Sequence, residues 1–244
     1  MTVPSISQTN KAGKELRNWQ MLPPGIAPTA DEIGRYVAAY DVLVAWRSAH
    51  QYALTKANVG LRSVVRTVGC VDGEVSSRLK RIPTILNKLV REPTLALANM
   101  QDIGGCRAVV GTITELRRVE ARVCRNRDVL RTYDYVASPR STGYRSLHMV
   151  VAYEDRYQVN RKVELQIRTQ PMHSWAIFVE RATAIVNQNL KGGEGPPEFQ
   201  EWLRLVAEAI AIEEMGGTVA TELADRIGEL RRVVEPLLHT ERRS

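Results

Sequence analysis

The chain has 244 residues, of which 44% are hydrophobic and 25% are charged. These values are ordinary for a globular protein, exclude long disorder, and allow one domain with helical extensions. The 34 Lys and Arg residues outnumber the 27 Asp and Glu residues, which gives a net charge of +7. All but seven of the basic residues are arginine, and this surplus favours a nucleotide or RNA partner, although solubilising charge alone would give the same total.

The sequence shows neither a signal peptide nor a long uncharged apolar segment, so we expect a cytoplasmic protein that makes no membrane contact. Its three cysteines, Cys70, Cys106 and Cys124, have no metal-ligand spacing. Their odd number is unsuited to a secreted disulfide framework. We therefore expect them to be reduced thiols.

The N-terminal residues 1–29 are polar and contain several prolines, a composition that predicts a partly ordered arm. A helix start follows at 29–32 (TADE), and apolar residues then recur at helical spacing towards residue 67. This pattern predicts a long amphipathic helix. A second, short helix is predicted at about 84–90.

From residue 106 onwards the pattern changes to short β-branched or alternating segments. These segments predict four sheet strands, at 106–111, 129–136, 146–153 and 162–169. Apolar residues of the segment 112–126, between the first two strands, have the spacing of a crossover helix. A further helix is predicted after residue 169. A glycine-rich break then precedes two predicted terminal helices near 197–214 and 218–239. The predicted fold class is α+β, a mixed sheet of about four or five strands flanked by helices, with a catalytic domain over 30–190 and a C-terminal helical extension over 191–244.

Polar residues follow one face of the last predicted strand, 163–168 (VELQIR). Because side chains alternate along a strand, Glu164, Gln166 and Arg168 share a face opposite three apolar residues. A solvent-exposed face would look the same. However, Asp102 precedes two glycines at the mouth of the first predicted strand, and two carboxylates on neighbouring strands suit Mg²⁺, which commonly takes one or two carboxylates with phosphates and water.

A turn-forming loop, 138–148 (SPRSTGYRSLH), leads into the third predicted strand. If that strand begins near Tyr144, then Tyr144, Ser146 and His148 share a face, with Arg140 and Arg145 nearby. An aromatic ring, a hydroxyl and an imidazole beside two arginines suit the stacking of a base and the binding of phosphates. The alternative for the histidine is a buried structural role.

Basic residues concentrate between residues 78 and 91, and Thr84, Lys88 and Arg91 share one helical face. A solvated basic face is the ordinary interpretation of such a run. Beside two carboxylates and a tyrosine it becomes a candidate triphosphate-binding surface. The sequence contains neither a Walker loop nor a GxGxxG pattern, so side chains rather than a glycine-rich loop would hold the phosphates.

Four motifs in this order resemble the synthetase domain of the RelA/SpoT family, over roughly residues 78–180. They are RLK at 78–80 with TI at 84–85 and KLVR at 88–91, DIGGCR at 102–107, GYRSLH at 143–148, and ELQIRT at 164–169 followed by Met172, Trp175 and Ala176. The length of the chain is similar to that of the single-domain small alarmone synthetases. The resemblance implies a Mg²⁺-dependent pyrophosphokinase that moves the β,γ-diphosphate of ATP onto a 3′-hydroxyl.

The resemblance also implies roles for individual residues. It places three residues in catalysis: Glu164 as metal ligand and proton acceptor, Asp102 as metal ligand, and Gln166 as a substrate-positioning group. It places six residues at ATP, where Arg78 and Arg107 sandwich the adenine and Lys80, Thr84, Lys88 and Arg91 hold the phosphates. It places Tyr144, His148 and Arg140 at the acceptor.

Departures from the family pattern lie mostly on the acceptor side. The usual Lys-Asp-Tyr is 133–135 (YDY) here, Arg140 replaces a common lysine, and the usual Glu-His pair is Glu180-Arg181. The acceptor therefore stays open between GDP or GTP, giving (p)ppGpp, and the 3′-CCA end of tRNA, the substrate of a toxic branch that acts with an antitoxin partner.

The basic C-terminal segment favours contact with RNA; its arginines are Arg226, Arg231, Arg232, Arg242 and Arg243. An inactive RNA-binding module is the third interpretation, and the presence of both Asp102 and Glu164 disfavours it. The sequence leaves the oligomeric state undetermined.

Overall fold

A five-stranded mixed sheet organises the chain in the computed structural model, which describes residues 3–23, 25 and 27–238. The strand order is β1-β2-β5-β4-β3. The strands are β1 (Glu74–Leu79), β2 (Gly104–Val110), β3 (Val129–Asp134), β4 (Leu147–Glu154) and β5 (Asn160–Thr169). The predicted α+β class and the number of strands are confirmed.

Helices precede, interrupt and follow the sheet. They are α1 (Ile6–Gln20), α2 (Ala30–Thr67), α3 (Ile82–Arg91), α4 (Ile113–Asn126), α5 (Gln170–Val186), α6 (Pro197–Glu214) and α7 (Thr221–Val234), with short 3-10 helices at Leu97–Asn99, Leu190–Gly192 and Glu235–Leu238. The long predicted helix begins as expected, because Thr29 and Glu32 form a capping box at the start of α2. Within the described ranges, no helix combines the length and the apolar character needed to span a membrane.

The centre of the sheet brings two motifs side by side. Strands β2 and β5 are parallel, and their register places Gly105 opposite Glu164. The other three pairings are antiparallel. Asp102 lies two residues before β2, so the two predicted carboxylates are on or beside neighbouring strands, as the sequence predicted.

One face of the sheet is a hydrophobic core. Val163, Leu165 and Ile167 are fully buried there against α2 and α4, which confirms the predicted alternation of β5. Strand β1 is an edge strand with one buried side chain, Val75. Its weak alternation explains why it was not among the four strands located from the sequence.

The N-terminal segment differs from the predicted partly ordered arm over 1–29, because it contains helix α1. A capping box of Ser5 and Gln8 starts this helix, and Leu16 is fully buried in a second core with parts of α2 and α3. A Cβ added at Gly13 would lie only 2.6 Å from Leu97 Cβ. The buried face consists mainly of small or polar residues, so hydrophobic periodicity could not reveal it.

The C-terminal helices α6 and α7 pack against α5 rather than extending away from the rest of the protein. Trp175 and Val179 of α5 form a third core with Phe199 and Leu203 of α6 and with Val234 of α7. The indole Nε1 of Trp175 donates a hydrogen bond to the carbonyl of Leu203 at 3.0 Å. Helix α6 is therefore part of the wall behind the polar face of the sheet.

Candidate active site

A polar cleft of about 470 Å³ opens on the face of the sheet opposite the core. Ten of the twelve residues predicted for the site line it: Arg78, Lys80, Lys88, Arg91, Asp102, Arg140, Tyr144, His148, Glu164 and Gln166. The other two lie outside the lining set. Thr84 is exposed on the first turns of α3, and Arg107 lies on β2 opposite Gln166.

Two ammonium groups hold Asp102 in the cleft. Lys80 Nζ donates to Asp102 Oδ2 at 2.8 Å, and Lys88 Nζ donates to Oδ1 at 3.1 Å. Burial raises the pKa of Asp102, but the two lysines outweigh that effect and hold the pKa below its usual value. Asp102 is therefore ionised at neutral pH, and both of its oxygens are engaged by cations.

A closed ring of hydrogen bonds fixes the second carboxylate, Glu164. His148 Nδ1 lies 3.0 Å from Glu164 Oε1, and Gln166 Nε2 donates to Glu164 Oε2 at 2.6 Å. Tyr144 Oη lies 2.7 Å from His148 Nε2. Arg168 closes the ring, since its Nη2 donates to Tyr144 Oη at 2.6 Å and to Gln166 Oε1 at 3.3 Å.

The chemistry of the partners fixes the direction of two of these bonds. Arg168 can only donate, so Tyr144 Oη accepts from it. An ionised carboxylate can only accept, so His148 Nδ1 donates to Glu164 Oε1. Burial raises the pKa of Glu164, but the hydrogen bonds from His148 and Gln166 outweigh that effect, so the pKa lies below its usual value.

Arg168 is the unexpected member of the ring. The sequence placed it on a polar face that an exposed sheet could also carry, yet it is only 1% exposed. Its Nε donates to Ser146 Oγ at 3.3 Å, so Ser146 faces the arginine and not the cleft. Burying an arginine is costly unless its N–H groups are hydrogen-bonded. Tyr144 Oη therefore stabilises Arg168 as well as lining the cleft.

Tyr144 does not offer the open stacking surface predicted for it. Strand β4 begins at Leu147, so Tyr144 lies in the preceding loop, where it is 3% exposed. The Arg168 guanidinium and the Lys191 ammonium lie 5.2 and 5.1 Å from its ring centroid. Lys191 comes from the segment after α5, and no motif in the sequence pointed to it.

Two other tyrosines provide aromatic surface in the cleft. Tyr133 and Tyr135 are half-buried and stack with ring centroids 6.1 Å apart and an interplanar angle of 6°. The Arg140 guanidinium lies 4.5 Å from the Tyr135 centroid, and its Nη2 donates to the Tyr135 hydroxyl at 2.9 Å. Their spacing in the sequence could have predicted this pair, because residues two apart share a face of an extended strand, and Tyr133 and Tyr135 lie on either side of the last residue of β3.

Residues 77–184 match the family described as the region found in RelA / SpoT proteins. This part of the chain therefore resembles the RelA/SpoT region. This match confirms the resemblance that the four motifs indicated, and its bounds enclose every residue of the cleft except Lys191.

Two curated relatives from Bacillus subtilis are similar to part of this chain. GTP pyrophosphokinase YjbM is 35% identical over 109 residues, which cover 42% of this chain and 52% of the relative. GTP pyrophosphokinase YwaC is 28% identical over 143 residues, which cover 54% of this chain and 65% of the relative. The chain thus spans between about half and about two-thirds of the length of these relatives.

Solved structures confirm the fold. Small alarmone synthetase 1 from Bacillus subtilis, in a crystal structure with its product pppGpp, aligns with a TM-score of 0.61 at 24% identity, over 80% of this chain and 99% of that one. Small alarmone synthetase 2 from the same organism aligns with a TM-score of 0.60 at 22% identity, over 70% of this chain and 92% of that one. At this level of identity the likeness establishes the architecture.

Proposed function

We propose that this chain transfers the β,γ-diphosphate of ATP to the 3′-hydroxyl of GDP or GTP and so forms (p)ppGpp. The observation that carries the proposal is a single cleft lined by both the lysine-bound Asp102 and the hydrogen-bonded Glu164. The names of the relatives, both GTP pyrophosphokinases, support it. The substrates are cytoplasmic nucleotides, so a cytoplasmic location is part of the proposal.

The basic end of the cleft suits the triphosphate of ATP. Lys80, Lys88 and Arg91 line the cleft on the same side as Asp102. An ammonium group that pairs with a carboxylate in one state can pair with a phosphate in another, at little change in its own solvation. We therefore assign these residues to the donor phosphates, with Arg78 at the adenine.

Asp102 and Glu164 fit a Mg²⁺ ion that arrives with ATP. Among the described residues, no three His, Cys, Asp or Glu side chains converge as a preformed metal cage. Two carboxylates in one cleft match the usual protein contribution to Mg²⁺, which takes its other ligands from phosphates and water. Bound there, the ion would neutralise charge on the transferred phosphates, as Lys80 and Lys88 release Asp102 to bind the same phosphates.

Glu164 is the proposed proton acceptor. The 3′-oxygen of the acceptor forms a bond to the β-phosphorus of ATP, the bond from that phosphorus to the α,β-bridging oxygen breaks, and AMP leaves. The proton of the 3′-hydroxyl passes to Glu164, which the bonds from His148 and Gln166 keep ionised and oriented. This division suits phosphoryl chemistry, where positioning and charge neutralisation matter more than covalent catalysis.

A tRNA 3′ end is the alternative acceptor, and the net charge of +7 is the observation that favours it. The C-terminal arginines predicted to contact RNA give it limited support. Arg226 pairs with Glu201 at 3.0 Å and with Glu229 at 3.2 Å, and Arg231 lies 3.6 Å from Glu235. Arg242 and Arg243 lie outside the described residues.

One assay tests both acceptors. The purified chain is incubated with γ-labelled ATP, Mg²⁺ and either GDP, GTP or deacylated tRNA, and the labelled products are separated by size and charge. We expect label in a guanosine tetra- or pentaphosphate together with stoichiometric AMP. Label on tRNA with none on GDP or GTP would replace the proposed acceptor, and ATP turnover with no labelled acceptor would overturn transfer.

A further inference from the structure

Helix α6 ends in a buried acidic side chain that contacts the loop 138–146 before β4, which we call the acceptor loop. Glu214, the last residue of α6, lies thirty residues beyond the end of the RelA/SpoT match at 184. One of its carboxylate oxygens accepts a hydrogen bond from Arg145 Nη1, and the other accepts one from Thr169 Oγ1. The Glu214 and Arg145 side chains are 9% and 7% exposed. Arg145 therefore points into the protein instead of towards the phosphates expected from the sequence.

The position of this carboxylate is unfavourable for α6 itself. The C-terminal end of a helix carries partial negative charge, which repels an acidic side chain. The contacts of Glu214 explain its place, because Thr169 is the N-cap of α5, where partial positive charge favours an anion. Glu214 also neutralises the charge of Arg145. Removing one partner of a buried ion pair strongly destabilises the folded protein.

The loop also touches α6 through its backbone. Gly143 has φ of +85°, and a Cβ at this position would lie 2.9 Å from Ala207 Cβ and 3.0 Å from Arg204 Cα. Only glycine combines this backbone conformation with so close an approach. Tyr144, the next residue, packs in the core that includes Leu203 of α6. The acceptor loop is thus held against α6 on both sides of Tyr144.

We propose that Glu214 is a positioning residue for the acceptor site: through Arg145 and Thr169 it fixes the loop that presents Arg140 and Tyr144 to the cleft. The inference rests on the proposed function, because it assigns an acceptor role to a segment outside the family region. The donor groups Lys80, Lys88 and Asp102 lie on or beside β1, α3 and β2. Loss of the Glu214 contact should therefore weaken the acceptor and spare ATP.

The test is steady-state kinetics of the full chain with Glu214→Gln, which keeps the shape of the side chain and removes its charge. We expect the KM for GDP to rise at least tenfold, while the KM for ATP and the kcat at saturating GDP change by less than about twofold. Glu213→Gln is the matched control. Glu213 is the neighbour of Glu214 on α6 and is exposed, so this substitution should leave all three constants unchanged.

Hydrogen exchange provides a readout that needs no turnover. The amides of Gly143 and Arg140 donate within the loop, to the carbonyls of Arg140 and Tyr144. Peptides covering this loop should exchange at least tenfold faster in Glu214→Gln than in the wild type, while peptides from α3 stay unchanged. If the wild type makes no (p)ppGpp, the proposed function fails, and exchange still decides whether Glu214 holds the loop.

Arg145→Lys serves if Glu214→Gln does not fold, because it keeps the opposite charge and shortens the reach. We expect the same acceptor-specific rise in KM on a smaller scale. Where both single variants fold, the effect of the double variant should be less than the product of the two single effects. Equal rises in the KM for GDP and ATP, or an unchanged KM for GDP with unchanged exchange in the loop, would overturn the positioning role.

Discussion

Replacing Glu164 by glutamine probes the centre of the proposed chemistry. The substitution keeps the size of the side chain but removes its negative charge and its capacity to accept a proton. It also places an amide NH₂ where the wild type has an oxygen that accepts from His148 Nδ1 or from Gln166 Nε2. One bond of the ring must then break or change direction.

The expected effects on rate and on stability differ in size. Loss of the proton acceptor and of a metal-binding charge should lower kcat by roughly a thousandfold, which corresponds to about 4 kcal/mol of transition-state stabilisation. Loss of one buried hydrogen bond should cost about 1–3 kcal/mol of folding free energy. Because domains are typically stable by about 5–15 kcal/mol, the variant should remain folded at 25 °C.

The assay compares label transfer from ATP to GDP with urea unfolding of the same preparation. Glu154→Gln is the matched control, because Glu154 ends β4 in the same sheet with 58% of its side chain exposed, and it should change both quantities little. A folded Glu164→Gln protein with more than about a tenth of wild-type turnover would refute the assignment of Glu164.

Three further changes test other parts of the molecule. Lys88→Ala should raise the KM for ATP about tenfold or more, since a phosphate contact is worth about 1–3 kcal/mol, whereas the exposed Lys56→Ala should not. Tyr144→Phe keeps the ring but removes an acceptor from Arg168, so urea unfolding should show a loss of about 1–3 kcal/mol; unchanged stability would contradict the hydrogen-bonded ring. Burial lowers the pKa of His50 from 6.5 to about 4, so between these pH values the unfolded chain binds a proton that the folded protein does not. The contribution of His50 to the free energy of unfolding should be full above pH 6.5 and fall by up to about 3 kcal/mol towards pH 4. His50→Gln should flatten that decline.

The sequence alone determined the features that depend on short spacing along the chain. The capping box at Thr29 and the alternation of β5 fixed a helix start and the two faces of a strand. The four motifs, in order, indicated the family resemblance and most of the predicted residues that line the cleft. Each of these features involves residues a few positions apart, whose relative directions follow from helix or strand geometry.

Only the tertiary structure decided which polar side chains are buried and what they contact. Arg168 meets Tyr144 across 24 positions, and Glu214 meets Arg145 across 69. On a strand or a helix end, a charged residue has the same local pattern whether it faces water or a buried partner. Its role depends on packing between distant segments, which periodicity does not encode. For that reason the sequence could predict α6 as a terminal helix, but not its contacts with Gly143 and Arg145.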